Sequence, residues 1–396
     1  MRRFPRGGLA AAALCTGALL LSSCGSPAST AAGGPEDGPI KVGVVYSASG
    51  PLATYGKQYY EGFEAGLDYA TDGTMEIDGR PVEVTEMDDA GDPATAVSAA
   101  RELIGDGHTI LAGSTSSGVA VQVAPVAKQN EVLFVSGAAA TDAITGMNDY
   151  TFRSGRQTHQ DIRTAATFME DPRGADVTVF AQQNAFGQDN VDAVTAVLEE
   201  QGAKVDSILA PPDSTDLTPF AQQAKQAEPD LLFVAWAGET ASAMWKALDQ
   251  QGVLDSTDVV TGLDIKASYP VFGKSTGKID FLSHYFEGAA DTEVSEAMRT
   301  RVEEAGGTVD LFTPDGFTAA QMVVRAAAAG DDVQKHISAL EGWTFDGVKG
   351  ELTVRAEDHA LLQPMYQARL TGSGDTAEPE LVATVPAEDV APPVGG

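Results

Sequence analysis

TILAGSTSSGVAVQVAPVAKQNEVLFVSGAAATDAIT, residues 109–145, is the stretch from which the rest of the chain can be read. Two short apolar runs, 110–112 and 132–135, each stop at small hydroxyl and glycine residues, and a helix-compatible segment lies between them. That is the pattern of a βαβ unit with small polar residues at the carboxyl end of both strands. In open α/β sheets ligands sit at that edge, because strand ends and helix N-termini leave unpaired N–H groups pointing into a crevice. Residues 114–118 and 136–141 are therefore the expected floor of a small-molecule site; the plainer alternative is that both are ordinary helix N-caps. Pro125 falls inside the helix and is expected to kink it or split it in two.

Outward from this unit the alternation continues both ways. Strand 41–46 leads into a helix from about Lys57 that sets Tyr60, Phe63, Leu67 and Ala70 on one face. Strand 82–86 ends at MDDAGDP, whose Pro93 can open the next helix, and a short strand covers 150–153. A second set follows, with helices at 161–169, 188–200, 217–227 and 240–250 and strands at 177–182, 205–209, 231–236, 259–261 and 281–286. Such alternation means parallel sheet covered on both faces, and the elements are too many for one sheet, so the fold class is α/β with two similar lobes. Helices near 293–304, 315–329 and 332–340 precede hairpin-like GVKGELTV and QPMYQARL. From Thr371 the chain reads mostly as tail, with one strand at 381–385.

The totals agree with a two-lobed globular protein. A chain of 396 residues exceeds one ordinary domain, and 43% hydrophobic content is ample for a core. A formal net charge of −32 argues against nucleic acid, whose phosphates it could not neutralise, and against adhesion to an anionic membrane surface. The two cysteines, Cys15 and Cys24, both lie near the start, so the body holds no disulfide framework and no thiol site.

Arg2, Arg3 and Arg6 precede an apolar run over 9–21 that is too short to span a bilayer, which marks 1–23 as an export signal peptide. Leu21-Ser22-Ser23-Cys24 looks like a bacterial lipobox, in which Cys24 becomes the lipidated first residue of the mature chain; the alternative is a plain signal with a small-residue cleavage site. Residues 24–39, rich in Gly, Ser, Ala and Pro, read as a flexible tether with a reach of about 20 Å. The expected location is extracytoplasmic, anchored by lipid alone to the outer face of the plasma membrane or in the periplasm.

Catalytic and cofactor motifs do not emerge. The five histidines show no H-x-x-x-H spacing, so no metal site is expected, and no G-x-G-x-x-G follows a strand. Gly273-Lys274-Ser275-Thr276-Gly277 fits the G-x-S-x-G esterase elbow but lacks the strand before it and the helix after it. Asp88, Asp89 and Asp92 are explained by a turn and a helix N-terminus. The expectation is a protein that is not an enzyme and carries no cofactor.

The segments IKVGVVYSASGPLATYGKQYYEGFEAGLDYA, YTFRSG, FAQQNAFGQDN, PDLLFVAWAGE and WTFDGVKGELTV, with residues 114–145, together resemble the branched-chain amino-acid-type solute-binding proteins of ABC importers. The likeness runs in order over nearly all of 40–370. It implies the type I periplasmic-binding-protein fold, two doubly wound parallel-sheet lobes joined by three crossovers that close on a solute. Lobe 1 would take 40–155 and 287–340, lobe 2 would take 156–286 and 341–372, and 373–396 would be a C-terminal tail.

By the same resemblance, Ser116 or Ser117, with Ser136, Gly137, Ala138 and Ala139, would hold a ligand carboxylate through hydroxyl and backbone N–H groups. Asp264 would answer an ammonium, and Tyr55, Phe186 and Trp236 would wall the site. Amino-acid binders of this kind often show Ala-Thr where this chain has Ala139-Ala140, so the implied solute is an amino acid or an aromatic or apolar carboxylate. The implied partner is an ABC permease. A receptor of the same fold coupled to a membrane sensor is the alternative, and an extracellular hydrolase centred on Ser275 a weaker one.

Overall fold

The computed structural model describes residues 38–395, with the side chains of 273–275 excepted. The expected signal peptide, the lipidation site Cys24, residues 24–37 of the tether and the Ser275 side chain thus lie outside the described residues.

The chain begins with β1 (Ile40–Tyr46), α1 (Ala53–Ala70), β2 (Glu76–Ile77), β3 (Arg80–Asp88), α2 (Pro93–Gly105), β4 (Ile110–Gly113), α3 (Ser117–Gln129), β5 (Leu133–Ser136) and β6 (Thr151–Arg153). These strands make one sheet in the order β2-β3-β1-β4-β5-β6, parallel except at β2. Every residue of β4 and β5 is buried, as expected of central parallel strands covered on both faces, whereas the burial of β3 is broken by exposed positions along its length.

The second block runs α4 (Thr158–Ala166), β7 (Asp176–Gln182), α5 (Ala185–Glu200), β8 (Lys204–Ala210), α6 (Thr218–Ala227), β9 (Leu231–Ala235), α7 (Ala241–Gln250), β10 (Asp258–Gly262) and β11 (Ile279–Ser283). The chain then forms α8 (Glu293–Glu304), α9 (Thr313–Ala327) and α10 (Val333–Leu340), a small antiparallel sheet of β12 (Thr344–Gly347), β13 (Gly350–Val354) and β14 (Leu361–Leu362), then β15 (Met365–Thr371), β16 (Glu378–Val385) and α11 (Ala387–Val390). The second large sheet has the order β16-β15-β11-β10-β9-β7-β8. The path therefore leaves lobe 1 after β6, returns to it after β11 with helices and the small sheet, and leaves again after β14: two lobes and three crossovers.

Each lobe buries two apolar layers. In lobe 1, α1, α9 and α10 cover one face through Phe63, Leu67, Met322 and Val323, and α2 with α3 cover the other through Ala96, Ala100, Val119 and Val123. In lobe 2, α6 and α7 cover one face, and α4 and α5 the other. Helices α1 and α9 cross with their backbones touching. A Cβ on Gly62 would lie 1.9 Å from the Thr313 carbonyl oxygen and one on Gly316 would lie 1.8 Å from that of Tyr59, so only glycine permits this approach.

Four expectations are corrected. Helix α3 runs through Pro125 as one element and is not split in two there, held by Val119, Ala120, Val123, Ala124, Val126 and Ala127, all buried; packing on both sides of the proline outweighs the lost hydrogen bond. Residues 341–372 are divided between the lobes: Leu352, Val354 and Leu361 pack into the lobe 1 core, and only β15 joins the lobe 2 sheet, antiparallel to β11. The strand expected at 381–385 is present and begins earlier, at 378, and it pairs along β15 with one register shift at Gln367/Ala368, so 373–396 is not simply a tail. On α1 the inward face carries Tyr59 with Phe63 and Leu67, not Tyr60, whose ring stacks on Tyr46 at 4.9 Å.

Candidate functional site

The carboxyl ends of the strands of both sheets meet along one cleft, and most residues singled out in the sequence lie in it. Tyr55, from the first turn of α1, projects from lobe 1, and Asp264 stands just past the end of β10 in lobe 2. Their side chains join across the cleft: Tyr55 Oη donates to Asp264 Oδ1 at 2.7 Å and accepts from Gly238 N–H at 3.2 Å. The Tyr55 ring rests on Phe312 with centroids 4.6 Å apart. Ile265 N–H donates to Asp264 Oδ1 at 2.8 Å. Burial pushes the Asp264 carboxyl above its ordinary range, and the donors from Tyr55, Ile265 and Ser268 pull it back by favouring the anion.

Around this pair lies a cavity of about 70 Å³, lined by Tyr55, Asp264, Phe186, Trp236 and Phe312 together with Arg156, Asp161 and His284. Trp236 is fixed by its indole N–H, which donates to Thr240 Oγ1 at 3.0 Å, and by the Phe180 ring at 5.3 Å. A larger chamber of about 510 Å³ adjoins it, sharing Phe186 and Ala237, and carries Ser116 and Ser117 with Pro51, Leu52 and Glu239. Ser116 occupies the N-cap position of α3 in extended backbone, yet its hydroxyl makes no capping bond, so the plain N-cap explanation does not use it.

The other expected first-lobe residues lie behind the cleft. Ser136 is fully buried, its hydroxyl on that of Ser114 at 2.9 Å. Gly137 N–H donates to Gly113 O at 2.6 Å, and Ala139 N–H to Ser114 O at 3.3 Å, so both donors are already engaged. Ala138 belongs to an apolar cluster with Tyr55, Ile265, Leu311 and Phe312. The loop is gripped by Arg153, which is 1% exposed and donates to the carbonyls of Thr141, Ala139 and Arg156. Burial brings its guanidinium down to about 10. Thus Tyr55, Phe186, Trp236 and Asp264 share the smaller cavity, Ser116 and Ser117 line the larger chamber with Phe186, and residues 136–139 line neither.

Sequence reasoning missed Arg156, His284 and Phe312. Arg156 follows β6 on the first crossover; it donates to Ala138 O at 2.8 Å and to Asp161 Oδ2 at 3.3 Å, with its guanidinium carbon 5.8 Å from the Phe312 ring centroid. His284 follows β11 on the second crossover, and burial holds its imidazole below the usual value, hence neutral at pH 7. A second arginine three residues after Arg153, at a sheet exit in an acidic chain, was the available signal for Arg156. Chemically the cavity offers a guanidinium, a carboxylate and aromatic walls, groups complementary to a small zwitterion or carboxylate. Among the described residues no cluster of His, Cys, Asp and Glu could hold a metal ion, and no helix is long and apolar enough to cross a membrane.

The lobes also touch away from the cavity. Asp189 on α5 accepts from Asp142 N–H at 2.7 Å and from the Thr158 hydroxyl at 3.0 Å. Burial and the neighbouring Asp142 raise its carboxyl to about 6.

Residues 39–375 match the family model described as periplasmic binding protein. A Leu/Ile/Val-binding protein homologue of Brucella abortus (strain 2308) is 26% identical over 353 residues, 85% of this chain and 88% of the relative. A solved ABC-type branched-chain amino acid transporter protein from Rhodopseudomonas palustris CGA009 superposes with a TM-score of 0.76 at 32% identity, covering 90% of this chain and 99% of the other. A solute-binding protein of an ABC transporter from Rhodopseudomonas palustris HaA2, solved with p-hydroxybenzoic acid, gives a TM-score of 0.81 at 24% identity over 88% and 97% of the two chains, a likeness of fold.

Proposed function

The chain belongs to the periplasmic binding protein family, and from that premise we propose that it is the extracytoplasmic solute receptor of an ABC importer whose solute is an amino acid or a similar small carboxylate. The observation that carries this reading is that Arg156 and Asp264 line one cavity between the lobes, with Tyr55, Phe186, Trp236 and Phe312 as walls. A carboxylate gains a charge-assisted bond at the guanidinium, and an ammonium gains one at Asp264. The Ala138 carbonyl and the Asp161 carboxylate hold the Arg156 side chain in place at the cavity before solute arrives, which lowers the ordering cost of binding.

The mechanism is binding and release without a covalent step. A solute that touches both lobes favours the closed arrangement only by the difference between its affinities for closed and open states. Closure presents a surface to a permease, and lipid on Cys24 keeps the receptor at the membrane; both belong to this proposal. The esterase reading finds no strand-turn-helix frame, since 3-10 turns over Lys266–Lys278 lead directly into β11.

A thermal-shift screen of amino acids, aromatic carboxylates, amides and urea tests the reading. A true solute at a hundred times its dissociation constant adds about 2.7 kcal/mol to stability. Stabilisation by an amino acid or small carboxylate is the expected result. Stabilisation by neutral amides or urea alone would overturn it.

A further inference from the structure

Beside Arg156 lies a buried group of charges from the second crossover, α4 of lobe 2 and lobe 1. Asp161 is 6% exposed, and its Oδ2 is held by Arg156 while its Oδ1 has no hydrogen-bond partner. His284 is 3% exposed; its Nε2 lies 3.5 Å from Asp315 Oδ2, and neither atom makes a hydrogen bond. Lys349 Nζ is likewise buried without a partner, and burial brings it down to about 8. A buried acceptor left unmade costs about 1–3 kcal/mol, more when charged, so its persistence in a cavity wall calls for a ligand.

We propose that Asp161 is a specificity-determining contact, and that the solute of the cavity carries, besides its carboxylate, a neutral group able to donate a hydrogen bond to Asp161 Oδ1: a hydroxyl or a primary amide. This deepens the preceding reading and rests on it. The neutral class follows from the charges present. Arg156 and Lys349 balance Asp161 and Asp315, so a second ammonium on the solute would face two cations, and a second carboxylate would face two anions while still leaving Oδ1 without a donor. A hydroxyl or amide donates to Oδ1 and retains acceptor capacity for Arg156 or His284 on the same floor. A site built on such a bond rejects the analogue that lacks the group far more strongly than an apolar pocket rejects an extra hydroxyl.

The experiment compares solutes differing by one hydroxyl, threonine against valine, tyrosine against phenylalanine and 4-hydroxybenzoate against benzoate, by calorimetric titration of the protein and of Asp161→Ala. In whichever pair binds, the hydroxylated member is expected to bind at least tenfold more tightly to the wild type, and the ratio is expected to fall toward one in Asp161→Ala. Should the variant fail to fold, the wild-type ratio decides alone. A ratio near one, a preference that Asp161→Ala retains, or binding confined to carboxylates with neither hydroxyl nor primary amide overturns this inference and leaves the preceding reading intact. Absence of binding by every carboxylate in the thermal-shift screen and in these pairs overturns both.

Discussion

Replacing Tyr55 by Phe removes one oxygen atom and nothing else from the contact that spans the cleft. In this structure that oxygen donates to Asp264 at 2.7 Å and satisfies Gly238 N–H at 3.2 Å, while the ring keeps its place against Phe312. Its loss leaves a mostly buried carboxylate short of one donor and a backbone N–H short of its acceptor. A hydrogen bond to a charged group contributes about 1.5–3 kcal/mol. The open state, where water reaches both groups, loses little, so the difference falls on closure. At about 1.4 kcal/mol per tenfold, solute affinity should weaken roughly 10- to 150-fold, chiefly through faster dissociation. The assay is stopped-flow binding combined with thermal unfolding of the solute-free protein, whose midpoint should change much less than the affinity. Unchanged affinity in Tyr55→Phe would refute the reasoning, because the bridge would then contribute nothing to closure.

Three further outcomes follow from the same geometry. Asp264→Ala removes the same bridge together with the carboxylate, so it should weaken every solute as Tyr55→Phe does and an amine-bearing solute by about 1.5–3 kcal/mol more in calorimetric titration; equal losses for solutes with and without an amine would mean that Asp264 does not answer an ammonium. Because the Asp189 carboxyl is raised to about 6 in the folded protein, the native state holds its proton more tightly than the unfolded chain. The stability it contributes is full below about pH 4 and is lost as pH rises through about 6. Asp189→Asn should flatten denaturant-derived stability between pH 4 and 6.5, and an unaltered pH profile would contradict the assignment. Gly316→Ala forces a Cβ to 1.8 Å from the Tyr59 carbonyl oxygen, so α1 and α9 must separate at a cost of about 1–3 kcal/mol or more in chemical denaturation; a variant as stable as the parent would mean that the helices can part freely.

The central strands were legible because burial on both faces demands apolar runs, and residues 110–113 and 133–136 carry that demand in four letters each. The α3 helix through Pro125 was not, because what holds it is contact on both flanks, which no local propensity encodes. Residues 344–362 read as a hairpin from their turn glycines, but the choice of lobe rests on where Leu352 and Leu361 find a core, a tertiary matter. The site divides in the same way. Tyr55, Phe186, Trp236 and Asp264 follow strand ends and carry the resemblance, so position along the chain located them. Arg156 and His284 lie on crossovers, where the partner that defines each comes from another segment: Arg156 donates to the carbonyl of Ala138, and His284 faces Asp315 of α9, while Asp161 on α4 is reached from Arg156 five residues earlier. The four residues 136–139 show the converse, since their pattern was right for a strand-end loop while Arg153 and the carbonyls of Gly113 and Ser114 already engage their backbone groups.

Closure of two lobes on a solute is most directly measured by fluorescence energy transfer across the cleft. Both native cysteines precede the body, at positions 15 and 24, so a pair introduced at the exposed positions Lys128 in lobe 1 and Asp192 in lobe 2 can be labelled cleanly in residues 38–396. Saturation with the solute found by thermal shift should raise transfer in the parent to a single high value, and Tyr55→Phe should need a higher concentration to reach it. Transfer that stays constant from zero to saturating solute, with binding verified in the same samples, would contradict a receptor that works by closing.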